Sequence, residues 1–261
     1  MDRVMSGLSV TRPQLPTEAH SGPNDLPVSA TTRCFWHNVW MPISTRDLSQ
    51  LPSIDILEKL TQSIAILDAI VSPDWENRYF SFNAAWDTSL KERMASMRNG
   101  SGDEYFMVFS PQGAILKGFD HEAPMSPWER EPVAVWPGVL DGVPEAFASF
   151  VAEPAFSMKD CTFCIWRERS DENWQHGPIV FPDSDADDPD GSEGLLCMFD
   201  GKPESYVDFA AEYYEQTLDI QVVRKIYAHE PITQAIVTEL NPQANWESIL
   251  KDAGEILYPV S

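Results

Sequence analysis

The segment from Met94 to Trp128, MASMRNGSGDEYFMVFSPQGAILKGFDHEAPMSPW, restricts the possible folds of this chain more than any other. Turn residues Asn99, Gly100, Ser101 and Gly102 precede the apolar run Tyr105 to Phe109, and Pro111, Gln112 and Gly113 precede the run Ala114 to Phe119. Gly and Asn tolerate positive φ and Pro presets φ, so both clusters turn the chain between strands. The pattern predicts a three-stranded antiparallel meander over residues 94–119, covered by the elements on either side.

Those elements are legible by period. Ile54, Leu57, Leu60, Ile64, Leu67 and Ile70 recur at three- and four-residue steps, which predicts a helix from Ser53, as N-cap, to Ile70. Residues 78–83 alternate as a strand, and residues 84–92 read as a helical turn or a polar loop. A Pro- and Trp-rich connection, residues 124–142, is expected to cross the surface with Trp128 and Trp136 turned inward. Pro144 opens a short helix to Val151, and residues 160–168 have the β-branched and aromatic weight of a strand. Helical spacing then dominates, over residues 203–217, 219–227, 233–240 and 246–257. Strands first and helices later make an α+β arrangement: an antiparallel sheet covered by helices, with a helical C-terminal third. Residues 1–32, rich in Pro, Ser, Thr and Gly, read as a disordered leader, and residues 33–261 as a single α+β domain. The aromatic segment Cys34 to Met41 is expected to be an edge strand or a docking segment.

Charge narrows the partners. Eighteen basic and 41 acidic side chains give a formal charge of −23. Such a field repels phosphate backbones and anionic membranes, so neither nucleic acid nor membrane is expected as a ligand, and it attracts a basic protein. No segment reaches the ~20 uninterrupted apolar residues of a membrane span, since the run Ile64 to Val71 is broken by Asp68. No apolar core follows Arg3 as in a secretory signal, and a cytoplasmic location is expected.

Several residue groups invite a chemical reading. The loop PDSDADDPDGSEG, residues 182–194, offers Asp183, Asp185, Asp187, Asp188, Asp190 and Glu193. Counted from Asp183, the sixth position is Asp188 and the twelfth Gly194, so the Gly and Glu of a helix-loop-helix Ca²⁺ site are both missing. A solvated, exposed acidic loop is expected, and the alternative is a metal-ion-binding domain or metal-dependent hydrolase built on Asp185, Asp187, Asp190 and His121. Cys161 and Cys164 form a single C-x-x-C inside strand-like sequence, half of a zinc site at most. The five histidines fall in no H-E-x-x-H, and no G-x-S-x-G occurs. His121-Glu122 reads as a surface turn, and residues 98–103 as a hairpin turn lacking the G-K-[ST] of a phosphate loop. No catalytic residue and no cofactor is assigned. Glu204, Asp208, Glu212 and Glu215 recur at helical steps with no neighbouring Lys or Arg in sequence, and present a negative stripe. With Asp185, Asp187, Asp188 and Asp190 they are the candidate partner-binding residues. A third reading has an exposed apolar patch around Trp128 and Trp136 binding a peptide.

The block SFNAAWDTSLKERMASMRNGSGDEYFMVFSPQGAILKGFDHEAPMSPW, with TFCIWR and DDPDGSEGLL after it, resembles a group of bacterial cytosolic proteins of uncharacterised activity over residues 75–259. Small, acidic α+β proteins of this kind resemble immunity proteins that neutralise polymorphic toxins. The resemblance implies a non-enzymatic acidic binding protein that masks a basic toxin or effector, and it carries over no catalytic residue.

Overall fold

The three meander strands form as expected and lie within a wider sheet. In the computed structural model, which describes residues 42–183 and 186–261, the strands are β1 (Phe80–Asp87), β2 (Glu92–Arg98), β3 (Glu104–Phe109), β4 (Gly113–Phe119), β5 (Phe163–Glu168) and β6 (Gln175–His176). They pair in chain order, every neighbour antiparallel. The fold is α+β, with helices α1 (Ile54–Val71), α2 (Ala148–Ala152), α3 (Ser192–Leu196), α4 (Pro203–Tyr213), α5 (Ile220–Tyr227), α6 (Gln234–Leu240) and α7 (Trp246–Ile256). The leader and the Cys34–Met41 segment expected from sequence lie outside the described residues.

Side chains alternate across a pleated strand, so each strand here feeds two layers. One face carries Phe80, Phe82, Met97, Tyr105, Met107, Leu116 and Ile165, buried with α1 and the C-terminal helices in one apolar core. The other face lies under the long connection between β4 and β5. There Phe106 meets Phe156 at a ring distance of 5.1 Å, and Trp86 stacks on the same ring at 5.4 Å. Burial on both faces explains why β3 reads as an unbroken apolar run instead of an alternating one. Lys117 on this second face is fully buried, with Nζ donating to Glu104 Oε1 at 2.8 Å and to the Asp160 carbonyl at 2.9 Å. A buried ammonium is tolerable only with such partners.

Helix α1 runs across the core face, and one residue on its apolar side is not apolar. Asp68, four residues after Ile64, is completely buried. Its Oδ2 accepts the backbone N–H groups of Tyr79 (2.8 Å) and Phe80 (2.7 Å) and the Tyr214 hydroxyl (2.8 Å), and its Oδ1 accepts the Tyr206 hydroxyl (2.7 Å). One carboxylate therefore ties α1 to the start of β1 and to α4 and its end. Burial pushes this carboxyl up to about 6, against the pull of the four donors.

Three local expectations are corrected. Residues 84–92 are neither helix nor long loop: β1 continues to Asp87, whose Oδ1 then accepts the Ser89 and Leu90 N–H groups in a tight turn. The Ser53 side chain does not cap α1; its carbonyl alone accepts, from Leu57 N–H at 2.8 Å. Trp128 is not turned inward but is 56% exposed, its indole N–H donating to Asp160 Oδ1 at 3.1 Å.

Replacing Asp68 by Asn leaves four donors facing one acceptor and adds a donor of its own, so urea unfolding of Asp68→Asn is expected to show a loss of about 2–4 kcal/mol. The pH dependence has a definite sign. The folded chain holds the Asp68 proton more tightly than the unfolded chain, so stability is highest below the unfolded pKa and falls as pH rises through about 6. His229, depressed by burial, works the other way. Urea midpoints are expected to rise between about pH 7.5 and pH 5, with Asp68 supplying about 1 kcal/mol that Asp68→Asn lacks.

Candidate functional site

The acidic loop divides into two parts with different fates. Asp187 is exposed, and its carbonyl accepts from Arg46 Nη1 at 2.9 Å. Asp185 lies outside the described residues. Asp190, expected at the surface, is 1% exposed, a correction that also removes it from any partner-facing surface. Its Oδ2 accepts the Thr45 hydroxyl, its Oδ1 accepts the Ser192 N–H at 3.0 Å, and Ser192 Oγ in turn accepts the Thr45 N–H at 3.0 Å. Asp188 is largely buried, its Oδ2 accepting the Gly194 N–H at 3.1 Å in the first turn of α3, and burial pushes its carboxyl up to about 6. Like charges are buried here because each finds donors, and Thr45, 145 residues away from Asp190, is one that sequence proximity does not reveal.

The same docking brings the loop against the end of β4. Gly191 sits at φ +74° directly over Asp120, where a Cβ would drive into the Asp120 side chain. The Met125 N–H donates to the Pro189 carbonyl at 2.9 Å. Beside this contact Asp103, Asp120 and His121 converge, one ligand atom from each lying within 4.8 Å of the others. The β3–β4 register pairs Glu104 with Phe119, which sets Asp103 across from Asp120 just beyond the paired strands. His121 Nδ1 lies 2.6 Å from Asp103 Oδ1, and the His121 N–H donates to the same oxygen at 3.0 Å. Asp103 Oδ2 accepts from Asn99 Nδ2 at 2.6 Å, so the hairpin turn read at residues 98–103 holds the carboxylate in place. The hydrogen bond to Asp103 raises the His121 imidazole above its ordinary value; burial, then the Asp103 charge, raises Asp120. One imidazole and two carboxylates are a donor set suited to a divalent cation such as Mn²⁺ or Zn²⁺. The metal alternative thus changes residues. His121 remains, but Asp190 is engaged by Thr45 and Ser192, and Asp103 and Asp120 stand where Asp187 and Asp190 were expected.

The acidic stripe on α4 is also reshaped. Glu204 has a basic neighbour in space: Arg224 of α5 donates to it at 2.5 Å, half-exposed on both sides. Asp208 is partly exposed, and Glu212 and Glu215 are exposed, without an ion pair to any described Lys or Arg. The helix ends at Tyr213, so Glu215 lies beyond it, in the left-handed region at φ +54°. Elsewhere, Cys161 and Cys164 are buried and free, and burial raises the Cys161 thiol to about 12, which removes it from thiolate chemistry. Trp136 is half-buried with Arg130 over its ring at 5.1 Å, and Val180 beside it is exposed. Among the described residues no helix is long and apolar enough to cross a membrane. No family model, no curated protein and no solved structure matches this chain.

Proposed function

We propose that this chain is a non-enzymatic acidic binding protein of the bacterial cytoplasm that masks a basic protein, as an immunity protein masks a toxin or effector domain. One observation carries the reading. Asp208 midway along α4, Glu212 in its last turn and Glu215 beyond its end have no basic partner among the described residues, while Glu204 in the first turn is paired. The last turn of α4 contains no basic residue, although the C-terminal end of a helix already carries partial negative charge. Carboxylates there cost the isolated fold a few tenths of a kcal/mol each, and a cationic partner reverses that sign. The formal charge of −23 acts in the same direction at longer range, speeding encounter with a basic surface and disfavouring nucleic acid and anionic membrane.

A single comparison tests this reading. Reversing Asp208, Glu212 and Glu215 to Lys is expected to weaken binding of an oligolysine probe at low salt about tenfold more than reversing Glu230, Glu239 and Glu247 on or beside other helices, read by calorimetry. Equal losses would mean that bulk charge alone acts, and would overturn the reading.

The Asp103–Asp120–His121 geometry favours a second reading, a metal-ion-binding domain or metal-dependent hydrolase. A cation bound to the folded state alone raises the melting temperature by mass action. Under this reading Mn²⁺ or Zn²⁺ shifts the melt of the parent protein upward by several degrees, and Asp120→Asn abolishes the shift; an unchanged melt in the parent removes the reading.

A further inference from the structure

We propose that the end of α4 is the docking point for that basic partner and that it selects arginine: the exposed ring of Tyr213 receives a guanidinium on its face while Glu212 and Glu215 pair with the charge. This rests on the binding reading above and names the surface and the side chain that it engages.

Tyr213 is 41% exposed, an unusual place for a ring held so firmly. It lies nearly parallel to Phe209, at 10° and 5.4 Å, and meets Tyr79 and Tyr214 edge-on at 4.8 and 4.9 Å. A ring fixed by three neighbours loses little rotamer freedom when something lands on it, which makes it a preorganised anchor. A few residues, Trp, Tyr and Arg foremost, carry a disproportionate share of binding energy at protein interfaces. Glu212 is the ring's neighbour in the chain, and Glu215 follows the helix end in a left-handed conformation that a glycine would adopt at less cost. The turn carrying exposed Asp74 and Glu76 adjoins this end, with the Tyr214 hydroxyl 3.5 Å from the Asn77 carbonyl.

The chain contains its own precedent for the arrangement. The Arg78 guanidinium lies over Trp75 at 5.6 Å and donates to Asp252 Oδ2 at 2.8 Å, one cation shared by a ring and a carboxylate. Tyr213 has exposed Glu212 and Glu215 as near neighbours in the chain, and among the described residues no cation lies over its ring. Arginine fits better than lysine because its planar, weakly hydrated guanidinium stacks on an aromatic face while its N–H fork reaches carboxylate oxygens, whereas an ammonium is compact and strongly hydrated.

The test titrates the full chain with oligoarginine and oligolysine of equal length at physiological salt, using the parent, Tyr213→Ala, Tyr213→Phe and the Glu212→Gln/Glu215→Gln double variant. Oligoarginine is expected to bind the parent about fivefold more tightly than oligolysine, a preference that Tyr213→Ala erases and Tyr213→Phe keeps. The double variant is expected to weaken both peptides. Circular dichroism melts report folding, and if Tyr213→Ala does not fold, Tyr213→Leu, which keeps apolar bulk but no π-face, takes its place. Equal binding of the two peptides by the parent, or a preference that survives loss of the ring, overturns the arginine site and leaves the charge reading standing. Absence of binding to either peptide overturns both.

Discussion

The Asp68 carboxylate is the constraint on which the rest of the architecture depends. It is an anion placed on the apolar side of α1, where desolvation disfavours it, and it survives there because four donors from other parts of the chain converge on two oxygens. Two of those donors are the backbone N–H groups at the entry to β1, which fixes where the first strand joins the helix. The other two are tyrosine hydroxyls from α4 and its C-cap, which fix how the C-terminal helices lie against the same helix. A buried anion is a poor source of net stability compared with a well-packed hydrocarbon, but it is directional. Sliding α1 by one turn, or drawing α4 away, strands donors and acceptor together. The aromatic cluster of Tyr79, Phe80, Phe209, Tyr213 and Tyr214 is assembled around this point.

That dependence links the interior to the surface proposed to bind. Tyr214 donates to Asp68 while its ring packs edge-on against Tyr213, so the exposed ring is one contact removed from the buried carboxylate. The rigidity that makes Tyr213 a usable anchor comes from this shared packing.

The sequence revealed the parts governed by local period and hid the parts governed by long-range pairing. The turn residues flanking Tyr105 to Phe109 and Ala114 to Phe119 marked the meander because turn geometry is a local property. The C-terminal helices were legible for the same reason, from their three- and four-residue spacing. Asp68 was visible as the residue interrupting an apolar run, and its position four residues after Ile64 already placed it on the apolar side of the helix. What no local rule supplies is the set of donors, which come from residues 79, 80, 206 and 214. The Asp103–Asp120 pairing did leave a trace. Both residues are equidistant from the Pro111–Gln112 turn, so extending the hairpin register outward brings them opposite one another. The acidic loop was misread where its charges turn inward, because Thr45 belongs to a distant part of the chain.

The two acidic features of this protein separate on a quantity that residue counts do not contain: the number of donors within reach. Asp188 and Asp190 face N–H and hydroxyl donors of α3 and of Thr45, so their charge is satisfied internally. Glu212 and Glu215 face water, and Asp208 is partly exposed beside them. At physiological salt the field of such a group fades over about 8 Å, so it acts mainly on a partner already close, raising the rate of productive encounter. Lifetime after contact is set by what the partner loses on leaving, and there a fixed aromatic ring contributes more than a screened carboxylate. A surface combining the two therefore divides the work, with charge governing arrival and the clamped ring governing departure. In the proposed site, it is therefore Tyr213, and not the net charge of −23, that would distinguish one cation from another.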